Sequence, residues 1–298
     1  MAKKHSGEIR YSRETSYNMG LDYCDTVLFK VKGQRRGKRS MGKPTSEAQA
    51  VVNERNARMN LLRLVNANFR DGKDLYITLT FDEAHRPDTR ADAKRLTDNF
   101  LRRVKRAWDK AGFISPFKWL YVIEGADGKR LHVHLLMSGG LSEACIRRLW
   151  GMADIVNVKI LQASDKGYEA LSVYLTKQGR LAGEHRWYAA RTLERPGYAE
   201  LNAGISEDDM EELAHAIEDI CAKKDEGIIP TGERYALVES RYPGYFLAEA
   251  EAVWLEQFKE WVIHIKLYRK DSAVGVREAK RRRAEERYLR DLHRSVVM

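Results

Sequence analysis

The chain has 298 residues, 43% hydrophobic and 32% charged, which supports a packed core and argues against global disorder. No apolar run reaches the roughly 18 residues of a membrane span, MAKKHSGEIR lacks a signal-peptide core, and Cys24, Cys145 and Cys221 are too far apart for a disulfide framework or a CxxC knuckle. Lys and Arg number 53 against 43 Asp and Glu, and the resulting +10 favours a polyanionic partner such as nucleic acid.

Residues 1–44 read as a basic arm. Lys30, Lys32, Arg35, Arg36, Lys38, Arg39 and Lys43 follow one another with no acid between them, among glycines and without apolar periodicity. Such a segment suits contact with phosphates. From Thr45 to Phe69 the spacing of Val52, Met59, Leu62 and Val65 predicts a helix. LYITLTF (75–81) reads as a buried strand. Residues 90–112 form an amphipathic helix with Leu96, Phe100, Leu101, Val104 and Trp108 on one side and Gly112 closing it. FKWLYVIE (117–124) and RLHVHLLM (130–137) are strands joined by a hairpin turn through GADGK. A helix at 142–150, a strand at 154–161 and a helix at about 166–178 follow. The order β-α-β-β-α-β-α predicts an α+β fold, an antiparallel sheet with helices on one face. Residues 201–298 read as an accessory, mainly helical region, with helices at 206–227 and 247–268. The basic stretch 277–290 is interleaved with glutamates, so internal salt pairing accounts for it nearly as well as DNA contact.

The chemistry concentrates in a few residues. His132 and His134 stand two apart on a strand and project from one face. Glu124 ends the preceding strand, opposite or diagonal to His132, and can reach that face. Two imidazoles and a carboxylate with open positions suit Mn²⁺ or Mg²⁺ acting as a Lewis acid on phosphate. An H-x-H pair is equally a pair of surface residues on a polar sheet face, and the hairpin partner Glu124 favours the metal reading. Tyr174 and Lys177 are three apart on the 166–178 helix and share a face. A tyrosine hydroxyl needs a neighbouring cation or metal to become a nucleophile, and the alternative for Tyr174 is an aromatic helix anchor.

Taken in order, YITLTF (76–81), LHVHLL (131–136) and YLTK (174–177) resemble the three motif blocks of rolling-circle replication initiators of the HUH endonuclease superfamily. The resemblance covers about residues 70–195, and residues 185–196 also resemble segments of phage and plasmid members. It implies a ferredoxin- or RRM-like sheet of the HUH type over 45–200, with the leading helix included. It implies Glu124, His132 and His134 as metal ligands, Tyr174 as the nucleophile and Lys177 as its supporting cation. The expected activity is nicking and rejoining of single-stranded or hairpin origin DNA through a 5′-phosphotyrosine, in the cytoplasm of a bacterial host. The expected partners are a host helicase and polymerase and a second protomer, with no membrane. The chain departs from two-tyrosine members, because the position four before Tyr174 is Ala170, and it lacks a G-x-x-x-x-G-K-[ST] loop. A relaxase or a single-strand transposase would use the same chemistry. A non-catalytic RRM-like protein would need stacking aromatics on its central strands, and LYITLTF and LHVHLL offer few. Zinc hydrolases would need HExxH or Cys-rich spacings, which are missing.

Overall fold

The computed structural model describes residues 11–18, 21–31, 47–125, 130–153, 156–164, 167–177, 185–226, 232–256 and 259–296. Strands β1 (Tyr11–Tyr17) and β2 (Tyr23–Val31) precede helix α1 (Glu47–Asn68). Then come β3 (Leu75–Leu79), α2 (Arg90–Lys110), β4 (Trp119–Glu124), β5 (His132–Met137), α3 (Glu143–Trp150), β6 (Val156–Ile160), α4 (Glu169–Thr176) and β7 (Tyr188–Ala189). The chain continues through β8 (Tyr198–Ile205), α5 (Glu207–Asp225), α6 (Glu233–Arg241), β9 (Tyr245–Leu255), β10 (Glu260–Arg269) and α7 (Ala273–Val296). Two compact units result. A central one spans Ala48–Arg195, and the other gathers the described parts of Met1–Glu47 and Pro196–Met298. No helix among the described residues is long and apolar enough to cross a membrane.

The central unit is built on an antiparallel sheet in the order β6-β3-β5-β4-β7, so the α+β class expected from the sequence is what the chain adopts. Alternation along the strands divides the sheet into two faces. Leu75, Ile77 and Leu79 of β3, Tyr121 and Ile123 of β4, and Val133, Leu135 and Met137 of β5 are buried against Phe100, Leu101, Val104 and Trp108 of α2 and Ile146 and Trp150 of α3. Helix α2 begins where the Thr89 side chain accepts from the Asp92 N–H at 3.1 Å and ends before Gly112, whose φ of 77° suits glycine. The Trp150 indole N–H donates to the Thr80 carbonyl at 2.8 Å, which ties α3 to the end of β3. The second face carries Tyr76, Thr78, Glu124, His132 and His134. There α4 sets Tyr174 over the sheet, so only α2 and α3 occupy the single helix-covered face that the sequence predicts. Residues 126–129 of the GADGK turn lie outside the described residues.

The second unit corrects the expectation of a mainly helical C-terminal region. Its sheet runs β8-β1-β2-β10-β9, and the 247–268 stretch expected to be helical forms most of β9 and β10. Alanine and glutamate favour a helix locally. The alternating burial of Ile263, Ile265 and Leu267, packed with Cys24 and Leu28 of β2 and with α5 and α6, overrides that preference. Residues 11–31, expected within the basic arm, are the hairpin β1–β2 of this sheet. A buried carboxylate explains why β1 reads as polar. Glu14 is 1% exposed and accepts from the Arg241 guanidinium at 2.6 Å and the Tyr242 hydroxyl at 2.9 Å. Lys30 is a β2 residue and forms an ion pair with Glu207 at the start of α5, so it is held in the sheet rather than on an arm. Lys32, Arg35, Arg36, Lys38, Arg39 and Lys43 lie outside the described residues.

One position after β5 tolerates no side chain. A Cβ on Gly139 would fall 1.8 Å from the Lys73 carbonyl oxygen, a backbone atom that cannot swing away. Gly139→Ala is expected to destabilise the protein by about 1–3 kcal/mol or more, as overpacking does. A urea titration followed by circular dichroism checks this.

Candidate metal and nucleophile site

The site grows out of the β4–β5 hairpin. The register places Glu124, the last residue of β4, directly opposite His132, the first of β5. His134 follows two residues on, opposite Val122 on one side and Thr78 on the other. The Glu124 Oε2 atom lies 3.3 Å from His132 Nε2 and 2.8 Å from His134 Nε2. One ligand atom from each of the three residues falls within 4.8 Å of the others, the compact N,N,O grouping of a divalent-cation site. Among the described residues this is the group of His, Cys, Asp and Glu side chains that could hold a metal ion.

Helix α4 delivers two more groups. The Tyr174 hydroxyl stands 3.1 Å from His134 Nε2 and donates to Glu124 Oε2 at 3.3 Å. Lys177 caps the helix at its C-terminal end. Its ammonium is 2.5 Å from Glu124 Oε1 and 4.0 Å from the centre of the Tyr174 ring. All five residues singled out from the sequence, Glu124, His132, His134, Tyr174 and Lys177, therefore meet at one point. Tyr168 is 4% exposed at the N-cap of α4 and does not join them.

Burial grades the site from inside to outside. His134 is sunk to 5% side-chain exposure, Glu124 to 16%, and His132 and Lys177 stay open at 31% and 41%. Burial alone would raise the Glu124 pKa. The Lys177 ammonium, the His134 hydrogen bond and the His132 charge outweigh it and hold the carboxyl below its usual range. Burial lowers the pKa of His134, with His132 and Lys177 adding to the effect against Glu124. Glu124 in turn raises that of Lys177. At neutral pH the cluster is thus a carboxylate, a neutral buried imidazole and an ammonium, the protonation states that metal ligation and phosphate chemistry need.

The structure adds one residue that the sequence does not assign. Tyr76 of β3 lies on the same face as His134, and its hydroxyl is 2.8 Å from His134 Nδ1, the nitrogen turned away from Glu124 and Tyr174. Thr78 Oγ1 stands farther from that nitrogen, at 3.4 Å. A hydroxyl both donates and accepts, so Tyr76 can serve either tautomer of the ring. It donates when Nε2 carries the proton, and it accepts from Nδ1–H when Nε2 is a ligand. Burial, with Tyr174 and Glu124 nearby, pushes the Tyr76 pKa up to about 12, so it remains a neutral phenol. The alternation in YITLTF places Tyr76 and Thr78 on one face. The β3–β5 register that brings them to His134 is a tertiary fact without a local signal.

Residues 74–179 match a family model of replication-associated proteins, the ORF2 type. The matched span runs from the start of β3 past the end of α4 and holds Tyr76, Glu124, His132, His134, Tyr174 and Lys177. It supports a replication-initiator role for the chain. No curated protein and no solved structure gives a significant match.

If Tyr76 orients His134, Tyr76→Phe should leave the fold intact and weaken Mn²⁺ binding about 10- to 100-fold, the usual cost of losing a ligand's supporting hydrogen bond. Calorimetric titration of the purified variant against wild type measures it.

Proposed function

We propose that the protein is a rolling-circle replication initiator that nicks one strand of origin DNA and holds the new end on Tyr174. The observation that carries this reading is the placement of a tyrosine hydroxyl 3.1–3.3 Å from two of three clustered metal-binding side chains. The family match over the same residues supports it. The donor chemistry of Glu124, His132 and His134 fits a divalent cation, Mn²⁺ or Mg²⁺, which when bound would polarise a phosphate oxygen.

The side chains perform the rest. Glu124 Oε2 accepts the hydrogen bond of the Tyr174 hydroxyl and orients its oxygen. That oxygen attacks phosphorus in line, the P–O3′ bond breaks, and the departing oxygen takes a proton to leave a 3′-hydroxyl. The product is a 5′-phosphotyrosine ester. Its phosphodiester energy is retained, so attack by another 3′-hydroxyl reverses the reaction and rejoins a strand. The Lys177 ammonium beside the Tyr174 ring is placed to offset negative charge that builds on the phosphate during transfer. His134, buried and neutral, keeps its place through Tyr76. In-line attack requires the scissile bond to be unpaired, as in a hairpin loop or melted origin. A host helicase would open the duplex, and a host polymerase would extend the 3′-end in the cytoplasm. With Ala170 one turn before Tyr174, a second protomer's tyrosine is the proposed terminating nucleophile.

Tyr174→Phe removes one oxygen atom and should abolish the covalent adduct while Mn²⁺ and DNA binding persist. His132→Ala or His134→Ala should abolish cleavage with DNA binding largely retained. Incubation with single-stranded origin oligonucleotides and Mn²⁺, with and without chelator, followed by denaturing electrophoresis, reads both. An adduct formed by the Tyr174 variant, or full cleavage in chelator, would overturn the assignment.

A further inference from the structure

We propose that the groove between α2 and the β4–β7 edge is a second binding site for single-stranded DNA. This rests on the reading that the protein handles origin DNA, and it assigns a surface on the sheet face opposite Tyr174. The groove encloses about 610 Å³ and is lined by Lys94, Arg102 and Lys105 of α2, Trp119 of β4, Tyr188 of β7 and Arg191 just beyond.

Two properties coincide there. The first is charge. Lys94 is paired with Asp98 at 2.6 Å and Lys105 with Asp109 at 2.7 Å, so those two cations are locally balanced. Arg102 and Arg191 are exposed, and neither makes an ion pair with a described residue. Two unbalanced guanidiniums facing one groove suit successive phosphates. The second property is a ladder of aromatic rings. Trp119 and Tyr121 are 5.6 Å apart and inclined by 24°, and Tyr121 and Tyr188 are 5.0 Å apart and inclined by 27°. The middle ring is fully buried, and its hydroxyl donates to Asp98 at 2.8 Å, which fixes the ladder's orientation. Trp119 and Tyr188 are only partly buried at its two ends. Pre-oriented ring faces beside unpaired cations are what sequence-tolerant single-strand binding uses, the rings for bases and the cations for the backbone. An acidic peptide would engage the arginines and leave the rings without a partner, so the ladder favours DNA.

Parity sets the path. Trp119 and Tyr121 point to the α2 side of the sheet, whereas Glu124, His132 and His134 point to the other. A strand that uses both sites must round the β7 edge, two strand spacings or about 10 Å from β5. Oligonucleotides spanning only the nick would fill the Tyr174 site alone, and longer ones would gain the groove.

The test uses full-length protein carrying Tyr174→Phe, so that cleavage does not interfere, and oligo(dT) of increasing length, read by fluorescence anisotropy over a salt series. Adding Arg102→Gln and Arg191→Gln should reduce the salt slope by about 1.4 for long oligonucleotides, about 0.7 per lost phosphate contact. It should leave the shortest ones unaffected. With Tyr174 restored, the same arginine changes should not alter adduct formation on the shortest cleavable oligonucleotide. Polyphosphate of equal charge has no bases, so it should bind more weakly than oligo(dT), and Trp119→Leu should narrow that gap. Unchanged slope and affinity for long DNA in the arginine variant, or polyphosphate binding as tightly as DNA, would overturn the groove. Adduct formation that persists alongside such a result leaves the nicking reading standing. Loss of long-oligonucleotide binding without any adduct from wild type sinks that reading and supports the groove.

Discussion

The pairing of Glu124 with His132 across β4 and β5 is the constraint on which the rest of the site depends, because strand register has a period of two. A slip of one residue would turn His132 and His134 to the α2 side and bring Val133 and Leu135 to the site. What prevents the slip is burial. Val133, Leu135 and Met137 are at 0% exposure against α2 and α3, and each such side chain contributes roughly 1.5–3 kcal/mol when fully buried. The alternation that builds the core is therefore the alternation that aims the ligands, and a change to one face of β5 is felt on the other.

Glu124 then acts as the common acceptor. Four groups from two strands and a helix converge on its carboxylate: His132, His134, Tyr174 and Lys177. A partly buried carboxylate without such partners would be costly, and each of them would lose its orientation without it. The Lys177 ion pair supplies positive charge next to the ligand set, which balances the carboxylate within the chain's own residues.

Legibility in the sequence follows periodicity. The run β3-α2-β4-β5-α3-β6-α4 is readable because apolar spacing of 3.6 or 2 is undiluted there, as at Phe100, Leu101, Val104 and Trp108 or in LHVHLL. The site residues are legible for the same reason, since same-face geometry on one strand or one helix is a local property. Two kinds of information are not. Strands β1 and β9 are written in polar or helix-favouring residues, and they are strands because of Glu14 meeting Arg241 and Tyr242, and because of the β10 partner. Tyr76, likewise, is an ordinary β-former until the β3–β5 register sets it beside His134. In each case the deciding contact lies far away in the chain, where propensity has no reach.

The nesting of one unit inside the other has a consequence for synthesis. The sheet β6-β3-β5-β4-β7 draws all its strands from 75–189, so it can close as soon as that stretch has left the ribosome. The outer sheet cannot: β1 and β2 leave early and must wait for β8, β9 and β10, the last ending at Arg269. Domains generally fold as units during translation, the earlier-completed one first. During that interval the β1–β2 hairpin has its edges open, and unpaired strand edges invite association with other chains. The completed central unit meanwhile occupies most of the intervening chain and shortens the flexible loop to be closed when the outer sheet forms.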